Sequence, residues 1–236
     1  MTDPPLVEIA GVVKSSAFPT PLRVRSLRVG AGERYTLTGF DAAAAETFVH
    51  LITGAALPDE GDVRVAGTST RDIATDTAWL DSLDRFGLVT ERAVLLEKLT
   101  IADNLALPIT LAIDPIPDSV RPQVEQLADE VGLGRDRLGS AADALAPADR
   151  ARLHLGRAIA ADPSVLLVEY PTTPLDARTV ASLGETIARV AAARGLAWIV
   201  LTDDERFAKA AGGTRLALQR ATGELTAPGW WKRTFG

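Results

Sequence analysis

The sequence predicts an α/β fold with a mainly parallel central sheet, a small antiparallel β subdomain near its start and a helical subdomain inserted midway. Three observations predict it. Leu22 to Val29 alternates, with Leu22, Val24, Leu27 and Val29 apolar among Arg23, Arg25 and Arg28, which marks a half-exposed edge sheet. Ser164-Val-Leu-Leu-Val is an apolar strand ending in an acid, Glu169, and followed by a turn that closes on Leu175-Asp176. Strand and helix patterns alternate in between, and β–α–β alternation places helices outside a parallel sheet.

Taken in order, Leu6 to Val13 alternates loosely and reads as a strand, as does Leu22 to Val29. Gly30-Ala-Gly-Glu33 is a turn and Tyr35 to Thr38 a short buried strand. Asp41 opens an alanine-rich helix running to about Ile52, with Asp41 as its N-cap. Asp62 to Val65 is a strand closed by Ala66-Gly67, and Trp79 to Thr90 holds a short helix and the strand Phe86 to Val89. A mainly helical layer starts at Leu99. It contains a helix over Val120 to Val131, ended by Gly132 and Gly134, and another over Pro147 to Ala161 with Leu153, Leu155, Ala158 and Ile159 facing inward. After the apolar strand come a helix over Ala177 to Ala193, a strand over Ala197 to Thr202 and a short helix over Glu205 to Ala211. A closing hairpin, Arg215 to Gln219 with Glu224 to Ala227, turns at Thr222-Gly223. Residues 1–236 are expected to form a single domain, with a helical subdomain over roughly 92–160 and a short tail over 228–236.

The 236 residues suffice for one α/β domain with a full core. Apolar residues at 47% and charged residues at 24% indicate a globular chain. A net charge of −6 argues against nonspecific binding to nucleic acid. The absence of cysteine removes disulfides and cysteine-based metal sites. Met-Thr-Asp-Pro-Pro has neither the basic end nor the apolar run of a signal peptide, and no stretch approaches the roughly 18 apolar residues of a membrane span. A cytoplasmic location is therefore expected, peripheral at the inner face of the membrane, with any membrane link made through a partner.

The order and spacing of these elements over about residues 6 to 227 resemble the ATP-binding cassette (ABC) ATPases. The resemblance implies a P-loop NTPase-like ABC ATPase domain. In that family the apolar strand ends in an aspartate and a catalytic glutamate, followed by Pro-Thr-x-x-Leu-Asp; here the two positions read Glu169 and Tyr170, while Leu175 and Asp176 are kept. The family's phosphate loop, Gly-x-x-Gly-x-Gly-Lys-Ser/Thr-Thr, corresponds to Gly39-Phe-Asp-Ala-Ala-Ala-Ala-Glu-Thr47. Ala42 and Ala44 stand for glycines, Ala45 for the lysine and Glu46 for the magnesium-binding hydroxyl, so only Gly39 and Thr47 match. Asp41 lies within the same slot.

A phosphate loop works because glycines let backbone N–H groups wrap the phosphates and a lysine neutralises charge. Alanine is disfavoured wherever φ must be positive. Glu46 beside an anion would repel it by roughly 4 kcal/mol at about 4 Å and an effective dielectric of about 20, against about 0.3–1 kcal/mol from the helix N-terminus.

The remaining positions depart in the same direction. The family's glutamine position holds Glu91. The signature Leu-Ser-Gly-Gly-Gln corresponds to Leu145, Ala146, Pro147, Ala148 and Asp149, a sound helix start and a poor phosphate clamp, since Pro147 has no N–H. Asp203 stands for the switch histidine. Ser16 takes the place of the adenine-stacking aromatic, with Phe18 nearby. Tyr170 is a poor general base at neutral pH, and Glu169 is the one residue left that could hold a cation. No catalytic set is intact.

The resemblance therefore implies a non-hydrolysing nucleotide-binding-domain subunit, structural or regulatory, partnered by a membrane permease, by a second ABC ATPase subunit (as homodimer or heterodimer), or by both. No cofactor is expected. The alternatives are a divergent active transporter ATPase, using ATP and Mg2+, and a soluble interaction protein reusing the fold. Leu95 to Thr100 matches the segment that receives a permease helix in the family, and Leu99 to Pro108 is similar to subunits handling lipids or lipoproteins. His50 and His154 lack partners at metal-ligand spacing. Trp230-Trp231-Lys232-Arg233 with Phe235 is an aromatic-basic tail, suited to a membrane surface, to a permease or to packing on its own domain.

Overall fold

A computed structural model describes residues 4–15, 21–90, 92–172 and 175–227. Strands β1 (Val7–Lys14) and β2 (Leu22–Val29) pair antiparallel, with Val7 opposite Val29 and Lys14 opposite Leu22. The alternation buries Val24, Leu27 and Val29 and leaves Arg23, Arg25 and Arg28 outside. A turn at Gly30, held by the Gly30 N–H on the Glu33 carboxylate, leads into β3 (Arg34–Thr38). Helix α1 (Ala42–Ile52) follows, and β4 (Glu60–Val65) returns to pair with β1. The two-residue β5 (Thr68–Ser69) completes a sheet of order β2-β1-β4-β5. Neither β5 nor the 3-10 turn after it, Thr70–Asp72, is expected from the sequence, because both are too short to show a period.

Helix α2 (Asp76–Leu83) begins earlier than Trp79, because Thr75 caps it by accepting the Ala78 N–H. Strand β6 (Phe86–Val89) follows, and the chain then enters a helical layer: α3 (Ile101–Ala106), α4 (Arg121–Val131) and α5 (Pro147–Ile159). Gly132, left-handed at φ 76°, caps α4, whereas Gly134 opens a 3-10 turn over Arg135–Arg137. Thr100 and Asp103 form a reciprocal capping box at the start of α3. Gly156 of α5 lies so close to α3 that an added Cβ would stand 2.6 Å from Leu105, which fixes the helix spacing.

The chain closes with β7 (Val165–Glu169), α6 (Ala177–Arg194), β8 (Ala197–Leu201), α7 (Glu205–Ala211) and the hairpin β9 (Thr214–Gln219) and β10 (Glu224–Thr226). The second sheet has the order β10-β9-β3-β8-β7-β6, parallel except at β10. Both β7 and β8 are buried throughout, as expected of central parallel strands covered on both faces. Their alternating side chains serve two cores. Val165, Leu167, Ile199 and Leu201 meet α1 and the antiparallel sheet, while Leu166, Val168, Trp198 and Val200 meet the helical layer.

Candidate functional site

The parallel strands β3, β6, β7 and β8 deliver Gly39, Thr90, Tyr170 and Asp203 to their carboxyl ends, where ligands bind in open α/β sheets. Gly39 has φ +83°, and a Cβ there would stand 3.0 Å from the Leu218 carbonyl oxygen, so both conformation and space require glycine. Phe40 then turns into the core against Phe48, and Asp41 caps α1 by accepting the Ala44 N–H at 2.8 Å. The helix opens at Ala42. Neither Ala42 nor Ala44 needs the positive φ that a glycine loop would impose.

Three side chains brace this short turn. The Tyr170 hydroxyl donates to the Phe40 carbonyl and lies 3.4 Å from Asp203 Oδ2. Asp203 Oδ1 accepts the Gly39 N–H at 3.0 Å. Arg220, in the turn between β9 and β10, donates to the Gly39 carbonyl at 2.9 Å and to the Asp41 carboxylate at 3.0 Å. Tyr170 itself is held in the left-handed region at φ 42°, a conformation that costs a non-glycine residue about 1–2 kcal/mol. Burial, with Asp203 beside it, pushes its phenol up to about 12.

Beside the brace lies a cleft of about 430 Å³ lined by Phe40, Asp41, Thr90, Arg92, Glu169 and Tyr170 among others. Arg92 crosses it, hydrogen-bonded to Glu169 and 3.5 Å from the Glu46 carboxylate. Burial pushes the Glu169 carboxyl up, against the pull of the Arg92 guanidinium.

The signature-like segment starts α5. Leu145 is buried, Ala146 is an N-cap without a capping side chain, and Pro147 takes the first helical position. Ala148 follows in the first turn, and the Asp149 carboxylate accepts from Arg137 at 2.7 Å and Arg152 at 3.0 Å. Partial burial raises its pKa, but the two arginines outweigh that and hold it below the usual range. Asp176, after Leu175, caps α6 through the N–H groups of Arg178 and Thr179 and the Thr179 hydroxyl.

A family model described as ABC transporter matches residues 22–173. The chain belongs to the ABC transporter family. It is similar to the lipoprotein-releasing system ATP-binding protein LolD of Acinetobacter baylyi, at 28% identity over 79% of this chain and 81% of that protein. It is also similar to the methionine import ATP-binding protein MetN of Brucella abortus, at 29% identity over 86% of this chain. The chain spans about half of that relative, 54% of its length. Among solved structures, cbiO1 from Clostridium perfringens, part of the ABC transporter complex cbiONQ, matches with a TM-score of 0.80 over 95% of this chain and 87% of that one. At 14% identity this likeness shows the fold alone, and that fold is the ABC ATPase fold.

An ABC ATPase holds ATP and Mg2+ with a lysine, a hydroxyl and free backbone donors, and the residues present at this slot do not fit that group. The Gly39 N–H is taken by Asp203, the Ala44 N–H by the Asp41 side chain and the Ala45 N–H by the Asp41 carbonyl. Ala45, at the lysine position, is fully buried in the core. The Thr47 hydroxyl is spent on the Ala43 carbonyl at 2.8 Å, and Glu46 brings a carboxylate where the metal-binding hydroxyl would stand.

The brace thus gathers Gly39, Asp41, Tyr170 and Asp203, with Glu46 and Glu169 on the neighbouring Arg92. Ser16, Phe18, Glu91 and the tail with Trp230 and Trp231 lie outside the described residues. His154 is half-buried on α5, and burial with Arg157 and Arg150 lowers it to about 4. No group of three or more metal-ligating side chains exists among the described residues. Sequence reasoning missed the two arginines. Arg92 follows the glutamine position directly and is flagged only by that adjacency; Arg220 has no local signal.

Proposed function

We propose that this chain is a nucleotide-binding-domain subunit of an ABC transporter that does not hydrolyse ATP and serves a transport complex as structural or regulatory partner. The observation that carries this reading is the internal brace: bonds from Tyr170, Asp203 and Arg220 occupy the turn on which phosphates would rest. Tyr170 stands where a general base is needed, and a phenol at about 12 stays protonated at neutral pH. Neither chain of a head-to-tail homodimer would then offer a working phosphate loop or signature to the other.

The proposed partners are a membrane permease, a second ABC ATPase subunit, or both. No helix among the described residues is long and apolar enough to cross a membrane, so the proposed place is the inner membrane face, reached through the permease. The segment before α3 supports that contact. Val94 is 74% exposed and Leu96 41% exposed, yet their backbone is fixed, with Asn104 bonding Leu96 at both N–H and C=O and Arg157 bonding the Val94 carbonyl. The layer α3–α5 is proposed as a helical subdomain within one domain of 1–236.

A second reading, a divergent ATPase that binds ATP with Mg2+ and drives transport, is favoured by the relatives named as ATP-binding proteins. Calorimetric titration of the purified chain with Mg-ATP and with ADP, beside a hydrolysis assay, separates the two. No heat and no turnover up to about millimolar nucleotide is the expected result. Micromolar binding with turnover replaces the first reading by the second.

A further inference from the structure

Residues 228–236 carry Trp230, Trp231, Lys232, Arg233 and Phe235 and no acid. The point at which the chain enters this segment is fixed. Strand β10 ends at Thr226, opposite Ala217, and Ala217 lies beside Thr38, the residue of β3 before Gly39. Ala227 is exposed at about that level of the sheet. Pro228-Gly229 comes next in the sequence, a pair that turns a chain.

Two surfaces border this point. On one side the hairpin meets β2, where the Arg25 N–H donates to the Gly223 carbonyl, and the outward row is Arg23, Arg25 and Arg28 against Glu8 and Glu224. On the other side lies the cleft of the slot. Phe40, Ala42 and Tyr170 form its apolar wall. Its charged groups are the carboxylates of Asp41, Glu46, Glu169 and Asp203 against the guanidiniums of Arg92 and Arg220. Asp203 is exposed and has no ion pair among the described residues. The excess charge is positive at β2 and negative at the slot, so Lys232 and Arg233 are repelled by the first and complement the second.

The distances agree. Adjacent strands stand about 4.8 Å apart, so the steps from β10 through β9 and β3 to β8 span about 14 Å. Lys232 is five residues past Ala227, and five extended residues reach up to about 17 Å. That suffices to bring its ammonium to Asp203, just after β8, with Trp230 and Trp231 crossing the apolar wall on the way.

We propose that segment 228–236 folds back across the slot of its own chain, with its tryptophans on the apolar wall and Lys232 and Arg233 among the slot carboxylates. The tail then covers the mouth of the cleft.

The test is zero-length carbodiimide coupling of the full chain, which joins lysine amines to carboxylates, read by peptide mass spectrometry. Lysine occurs only at 14, 98, 209 and 232, so the map is simple, and the Lys14–Asp59 and Lys98–Asp143 pairs are internal controls of the fold. Mixing light and heavy isotope-labelled chains separates coupling within a chain from coupling between chains. The expected result is Lys232 joined to Asp203, Asp41 or Glu46 of the same chain, with a yield that falls at least about fivefold in Trp230→Ser/Trp231→Ser while both controls persist. Coupling of Lys232 to none of these acids while the controls form overturns the proposal and leaves the tail to a membrane surface or a permease. Coupling only between light and heavy chains overturns it in favour of a second copy. A yield that the double tryptophan variant leaves unchanged also overturns it, since the contact would then be charge encounter without docking. The coupling reports where the tail lies whether or not ATP is hydrolysed, so this inference and the proposed function fail separately.

Discussion

The hydroxyl of Tyr170 donates to the backbone carbonyl of Phe40, so a side chain at the end of β7 braces the turn that opens α1. Tyr170→Phe deletes this bond and leaves a carbonyl of a buried residue without its donor. The expected cost is about 1–2 kcal/mol, read as a lower urea midpoint with an unchanged slope. Tyr170→Glu restores the family's acid but not its lysine or glycines, so no ATP turnover is expected. Turnover in that single variant would refute the account of the slot.

The two tyrosines of the chain make the brace visible by spectroscopy. Burial first, then Asp203, pushes Tyr170 up to about 12; burial first, then Glu33, raises Tyr35. A raised folded pKa means that the folded state holds its proton longer than the unfolded chain. For Tyr170 this contribution to stability is complete below the unfolded value of about 10 and is lost as pH rises toward about 12. Absorbance at 295 nm should show one tyrosinate step near pH 12 in the native protein, which Tyr170→Phe removes, and both steps near 10 in denaturant. Loss of a native step near 10 on Tyr170→Phe would place that phenol in solvent.

Ala45 faces the core, so restoring the family's lysine there does not restore a phosphate site. Ala45→Lys forces a long cationic side chain against Phe48 and its neighbours and is expected to destabilise by about 2–4 kcal/mol. Thermal melts measure the loss, and calorimetry with ATP checks that no binding appears. Tight ATP binding by a stable variant would mean that α1 opens differently from the described turn.

What was legible follows from where each signal resides. Strands β2 and β6 and helix α7 lie where the sequence places them, because alternation, a bounded apolar run and flanking turn residues are all local. Gly39, Asp41, Tyr170 and Asp203 could be singled out because motif spacing survives changes of letter. The bonds among them could not. Arg220 reaches Gly39 across 181 positions of sequence and Arg92 reaches Glu169 across 77, and neither approach leaves a periodic trace. The side to which Ala45 turns was equally hidden, since it depends on α1 opening at Ala42.

Asn104 is fully buried and closes the loop before α3, accepting the Leu96 N–H at 2.9 Å and donating to the Leu96 and Thr100 carbonyls at 3.0 and 2.9 Å. Asn104→Ala strands the buried Leu96 N–H, while the Leu96 and Thr100 carbonyls keep the backbone N–H groups of residues 99 and 104, and is expected to cost about 1–3 kcal/mol. Hydrogen exchange should quicken over residues 94–104 before the rest of the helical layer. Unchanged protection there would show that Lys98–Asp143 and Arg150–Glu97 hold the loop without it.

The fold should weaken in mild acid through His154. Burial first, then Arg157 and Arg150, lowers this imidazole to about 4, whereas in the unfolded chain it titrates near 6.5. Between those values the unfolded chain binds the extra proton and the folded one does not. Stability from this group is therefore complete above about 6.5 and falls as pH drops toward about 4. Discounted for the partial exposure of the ring, the loss is about 1–2 kcal/mol. His154→Gln should remove most of that slope, so the difference in melting temperature between pH 7 and pH 5 narrows relative to the parent chain. An equal difference in both proteins would assign the acid sensitivity to carboxylates whose folded pKa is held low by arginines, such as Asp149 and Glu130.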